Sequence, residues 1–267
     1  MTEDIFFYLF PKILFALFVL GALLILLYTY RSREERRLAF DRLARELGFT
    51  SDDLEIKKTD VLSEPPGSGR GGRVMGDIII SAIRLFGPQL SVARNELKAI
   101  LSHFRLFRGF SSVRIENLLT KDSRGGKIYL FEGLFRKKSS NRSYYRTAFA
   151  VNEEGLDFPE CTVVPEKHAD RLYRFLGFIG LDHKDINVEF DPEFSSSYVV
   201  RGADELRVRE ILNAGVCRWF MGLKEDYPHF ESKGTAFAIF FEGKKLEIDE
   251  IKTLFFAASE FLRMWVH

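Results

Sequence analysis

Residues Ser112–Asn152 read SVRIENLLTKDSRGGKIYLFEGLFRKKSSNRSYYRTAFAVN. Ser112–Thr120 is rich in β-branched and leucine side chains and stops at Lys121-Asp-Ser-Arg-Gly-Gly126, a turn composition. Lys127–Lys137 follows, apolar on both faces around Ile128–Phe131, the pattern of a strand covered on two sides. Ser139–Arg142 turns the chain and Tyr144–Asn152 returns. The spacing predicts a three-strand antiparallel meander with Lys127–Lys137 at its centre.

Toward the C-terminus, a short strand near Thr162–Val164 meets Pro165, placed to open a helix that ends near Leu176. Strands are expected at Asn187–Phe190, Ser196–Arg201 and Thr235–Glu242, the last closed by a turn at Gly243. Ala203–Leu223 reads as one helix with a buried stripe of Val208, Ile211, Leu212, Gly215, Trp219 and Leu223. Ile248–Trp265 is the clearest amphipathic helix, with Ile251, Leu254, Phe255, Ala258, Phe261, Leu262 and Trp265 in register. Runs of strands closed by helices make the class α+β, an antiparallel sheet packed with helices.

Toward the N-terminus, Ser91 is placed to cap a helix to His103 with Leu97, Ile100, Leu101 and Phe104 on one face. Asp77–Phe86 is apolar and fits a strand or a short helix equally. Residues 59–76 contain SEPPGSGRGG, the composition of a linker or loop. Its glycines lack the GK[ST] ending of a phosphate loop, and no strand precedes them. Glu34–Leu47 is an amphipathic helix through Phe40, Leu43, Ala44 and Leu47, with Gly48 as its stop.

Ahead of it, Ile13–Tyr30 reads ILFALFVLGALLILLYTY without a charge. At about 1.5 Å per residue it spans roughly 27 Å, close to a bilayer's hydrocarbon core. Glu3 and Asp4 in place of a basic cluster, the length of the run, and the absence of a small-residue cleavage site argue for a retained anchor over a signal peptide. Arg31, Arg33, Arg36 and Arg37 follow the run and Lys12 precedes it, so the positive-inside rule puts the C-terminal side in the cytoplasm. The expected plan is an N-terminal transmembrane anchor over 1–30, a juxtamembrane helix over 31–58, a linker or insertion over 59–90, and a cytoplasmic α+β domain over 91–267. The expected location is the cell inner membrane, single-pass, with the N-terminus outside.

The 267 residues are 46% hydrophobic and 29% charged, which supports a real core. A formal net charge of +1 excludes whole-chain attraction to duplex DNA. Cys161 and Cys217 read as two reduced thiols. Among five histidines none pairs at helical metal-ligand spacing, and no C-x-x-C pattern supports a zinc site from Cys161, His168 and His183. No metal or cofactor is expected. Asp182-His183-Lys184-Asp185 contains the letters HKD without the spacing of that phospholipase motif. No G-x-S-x-G elbow occurs. Asp191, Glu193 and Ser195 place a carboxylate near hydroxyls, a pattern shared by a catalytic cluster and by an Asp-Pro turn.

One patch carries a physical argument for binding. The hairpin tip holds Arg136, Lys137, Lys138 and Arg142, with Arg146 beside it and Tyr144 and Tyr145 flanking. On a domain tethered to a bilayer, such a tip fits anionic lipid headgroups. Nucleic acid, through base stacking on the tyrosines, is the weaker alternative, and a tip made basic for solubility is the plain one.

The segments LFRGFSSVRIENLL (106–119), FPECTVVPE (158–166) and INVEFDPEFSSSYVVRGADELRVREIL (186–212) together resemble a widespread family of uncharacterised bacterial membrane-anchored proteins. The resemblance covers roughly residues 34–50 and 97–262. It implies one N-terminal anchor and a cytoplasmic α+β region, and it carries no functional residue over. The expected function is a non-catalytic interaction or scaffold domain with a protein partner at the membrane face. The alternative is a membrane-associated hydrolase or transferase.

Overall fold

The structure is a computed structural model that describes residues 2–51, 92–108, 110–123, 125–137, 143–169, 184–189, 191–223 and 228–265. The expected linker at 59–90, the cap at Ser91 and the end of the helix near Leu176 lie outside them.

A helix α1 (Thr2–Leu47) runs without a break from the apolar stretch into the amphipathic one. It stops where expected, at Gly48, whose φ of 70° is the left-handed conformation that favours glycine. Among the described residues no helix is long and apolar enough to cross a membrane. Strand β1 (Thr50–Ser51) follows. Helices α2 (Val92–His103) and α3 (Arg105–Arg108) precede the meander of β2 (Phe110–Asp122), β3 (Gly126–Lys137) and β4 (Ser143–Glu153). All three strands lie where the sequence puts them, and β3 is central, paired along its length on both sides. Gly126 has no room for a side chain, since a Cβ there would stand 1.9 Å from the Asn152 carbonyl oxygen.

The rest comprises β5 (Phe158–Pro165), β6 (Lys184–Asp185), α4 (Pro192–Ser197), β7 (Tyr198–Gly202), α5 (Glu205–Ile211), α6 (Ala214–Gly222), β8 (His229–Gly234), β9 (Ala236–Glu242) and α7 (Ile248–Arg263). The nine strands form one antiparallel sheet in the order β1-β2-β3-β4-β9-β8-β5-β7-β6. The class is therefore α+β.

Apolar cores lie on both faces of the sheet. One joins Phe40, Leu43 and Ala44 of α1 to α5, α6 and α7. The other is covered by Leu97, Leu101, Leu106 and Phe107 of α2 and α3. A bulge in β2 between Ile115 and Asn117 resets its alternation, so that Ile115 and Leu118 face the same core.

Several expectations shift. Ala203–Leu223 is two helices. Asn213 interrupts it, its side-chain oxygen accepting from the N–H groups of Gly215 and Val216 at 2.9 and 3.1 Å. The apolar stripe reads through the break because Val208, Ile211, Leu212, Val216 and Phe220 reach the same core. Pro165 ends β5, and the helical turn begins at residue 166. Residues 187–188 are not strand, and Pro192–Ser197 coils as α4, capped by Asp191, before β7 starts at Tyr198. Strand β8, HFESKG, shows no alternation in sequence because its polar residues are buried beside its apolar ones.

Replacing Asn213 by Ala leaves the first turn of α6 without its cap. Urea unfolding is expected to show a loss of about 1 kcal/mol, and an unchanged midpoint would show that packing alone sets the break.

Candidate functional site

Two buried polar centres, one on each face of the sheet, and the basic end of the meander are the chemistry-bearing features.

Arg36 of α1 makes the first centre. Its guanidinium donates to both carboxylate oxygens of Glu132 on β3, at 2.5 and 3.3 Å, and to the Leu246 carbonyl. Glu132 is fully buried, and it also accepts from the Asn117 side-chain amide at 2.7 Å. The Arg36 guanidinium lies 5.3 Å from the Phe40 ring centre. Burial and the adjacent Glu132 carboxylate push the Tyr145 phenol upward. Further contacts set the direction of α1. Ser51 donates to Asp41 at 3.0 Å, and β1 pairs Ser51 with Leu119. Lys121 donates to the Leu47 carbonyl at 3.1 Å. Residues 36, 41 and 47 of α1 thus stand at the levels of 117, 119 and 121 of β2, and the two elements advance together.

The second centre lies under α2 and α3. Arg146 on β4, which the sequence places beside the basic tip, instead points inward with 2% exposure. Four rings surround its guanidinium, those of Phe240, Phe110, Phe107 and Phe135, at 4.4 to 5.2 Å. It donates to the Leu106 carbonyl at 2.9 Å and to Glu242 at 3.0 Å. Glu231 on β8 accepts the backbone N–H groups of Arg105 and Leu106, holding the start of α3 on the sheet. Arg105 pairs in turn with Glu160 at 2.5 Å. Next to it on β8, His229 stacks on Phe240 at 5.0 Å, and its Nε2 lies 3.1 Å from Nδ1 of His168.

Burial pushes the Glu231 carboxyl up to about 7, against the pull of the Leu106 and Arg105 backbone N–H groups and of the Arg105 and Arg146 charges. Burial likewise holds the Cys161 and Cys217 thiols at about 12. Both are free and buried, as the reduced reading requires. The sequence signal for these centres is a lone charge inside an apolar run: Glu132 in IYLFEGLF, Arg146 in YYRTAFAV.

Of the expected binding residues, Arg136 and Lys137 end β3, opposite Ser143 and Phe110 respectively. Arg136 is exposed. Lys138 and Arg142 lie outside the described residues. Asp191 and Ser195 have structural tasks: Asp191 accepts from the Phe194 N–H at 2.9 Å, and Ser195 donates to the Val188 carbonyl at 2.7 Å. His183 lies outside the described residues, and among those described no group of three His, Cys, Asp or Glu could hold a metal. Compared with protein-family models, curated proteins and solved structures, the chain matches none.

Arg36→Ala strands Glu132 as an unpaired buried charge, at an expected cost of about 3–5 kcal/mol. A paired Arg36→Met, Glu132→Gln variant should recover most of that loss. Unfolding of the two variants checks this, and equal losses would mean that the ion pair does not hold α1.

Glu231 makes a pH prediction. Its folded pKa of about 7 lies above the ordinary carboxyl value of 4.5, so its contribution is full below about 4.5 and is lost as pH rises to about 7. The stability difference between the native chain and Glu231→Gln should fall by about 3 kcal/mol from about pH 4 to about pH 8. A flat difference in urea unfolding would place the carboxyl in contact with water.

Proposed function

We propose that the chain is a single-pass protein of the cell inner membrane, with its N-terminus outside and a non-catalytic interaction domain on the cytoplasmic face, of the membrane-anchored family it resembles. The observation that carries this reading is the continuity of α1. Its apolar part and the Arg36 clamp belong to one helix. The described side chains from Phe15 to Tyr30 are exposed, apart from half-buried Gly21. They include Phe18 at 74% and Ile25 at 66%. Such a surface, apolar all round, suits lipid. The uncharged run itself begins at Ile13, ahead of the described side chains.

A helix that passes unbroken into a buried ion pair allows the sheet no free swivel about the anchor. The domain is presented to its protein partner at a set height and angle above the bilayer. The structural tasks of Asp191 and Ser195 favour binding over hydrolysis or group transfer.

The test is topology. With Thr2→Cys, a membrane-impermeant maleimide should label intact cells lacking an outer barrier. With Ser112→Cys, labelling should need permeabilisation, and both variants should stay with the membrane through an alkaline carbonate wash. Release by the wash, or the reverse labelling, overturns the reading.

A further inference from the structure

We propose that the end of the sheet where β2 begins, β3 and β4 meet and β9 passes into α7 is a docking surface for anionic phospholipid headgroups of the bilayer that holds α1. This rests on the anchor reading above. It extends the lipid site from a hairpin tip to a whole edge of the domain.

The argument is one of height. Arg36 and Glu132 mark a common level, and α1 and β2 advance together from it. From Arg36 back to Tyr30 the helix covers about 9 Å at 1.5 Å per residue. From Glu132 on to Lys137 strand β3 covers about 16 Å at 3.3 Å per residue. The strand ends therefore reach the level of the Tyr30 and Tyr28 rings, with margin left for inclination between helix and strand. A bilayer bounded near those rings meets the sheet end.

The side chains at that end suit it. Arg114 lies opposite Leu134, two residues past Glu132 toward the end. Lys245 is exposed and lies 5.3 Å from the ring of Tyr145, which also pairs with Leu134. Arg136 is exposed two residues further on. Arg33 on α1 is exposed between Arg36 and Tyr30. At the last level Phe110, half-buried, packs at 5.4 Å on Phe135 and 6.3 Å on Tyr144, an aromatic group where the headgroup zone would fall. The carboxylates at this end are paired with arginines: Glu34 with Arg37, Glu35 with Arg31 at 2.9 Å, Glu116 with Arg114 at 3.9 Å and Glu242 with Arg146 at 3.0 Å. Arg33, Arg136 and Lys245 add positive charge beyond those pairs, which an anionic leaflet attracts.

The full chain is placed in nanodiscs carrying a headgroup-spin-labelled lipid, with a fluorophore on Ser112→Cys, near the proposed surface, or on Glu154→Cys, beyond the far end of β4. The native cysteines are buried and stay unlabelled. In discs containing phosphatidylglycerol, quenching at 112 should exceed that at 154 several-fold. It should drop in phosphatidylcholine discs, in the Arg114→Ser, Arg136→Ser, Lys245→Ser triple variant, and at about 1 M salt, where the Debye length falls to about 3 Å. Added inorganic phosphate should not abolish it if the bilayer is the ligand. Equal quenching at the two positions, or quenching indifferent to both lipid charge and the triple variant, overturns the proposal. A chain that fails to co-elute with the discs overturns the anchor reading, and this one with it.

Discussion

A carboxylate taken wholly out of water has to be paired, and Glu132 is such a group. It sits in the central strand of the meander and cannot be satisfied by the sheet's own ladder. Asn117 supplies one donor and Arg36 the countercharge. That requirement ties a helix from the start of the chain to a strand nearly a hundred residues later. Removing the arginine alone leaves a charge that the core cannot solvate. The position of α1 on the sheet, its height and its direction all follow from this contact and from the smaller ones at Asp41 and Leu47.

The opposite face solves a similar problem differently. Glu231 is satisfied mainly by the backbone of α3, and Arg146 by a ring of phenylalanines with Glu242 and one carbonyl. Aromatic faces carry negative charge density, so they replace part of the water that a buried guanidinium loses. α2 and α3 are thereby held by directional bonds as well as by apolar contact. This fixes their placement more narrowly than burial of Leu97 and Leu101 alone would.

The first centre joins α1 and the sheet into one stiff unit, and the second fixes α3 on the opposite face. An anchor joined through a flexible linker would let the domain sample many orientations, and its surface charges would act only as an average. In the anchored arrangement proposed above, one helix and a buried ion pair select an orientation. In that proposal the same few basic side chains act at a defined height, so the charge at the end of the sheet counts for more than the net charge of the chain.

Much of this was legible in the residues. The meander, the stop at Gly48, the amphipathic α7 and the α+β class follow from local periodicity and turn chemistry, which act over a few residues and leave their pattern in sequence. The break at Asn213 was not legible, because both helices flanking it point at one core and the apolar stripe continues across. β8 was hidden because His229, Glu231 and Ser232 are polar yet buried. Arg146 shows the limit most clearly. Its neighbours along the chain place it on a basic tip, but strand alternation and four rings from distant segments draw it inside. Sequence by itself determined the helices and strands whose periodicity is local and regular, and where a lone charge interrupts an apolar run. Only tertiary structure decided which partner satisfies that charge, because the free energy of a buried ion depends on groups brought close in space.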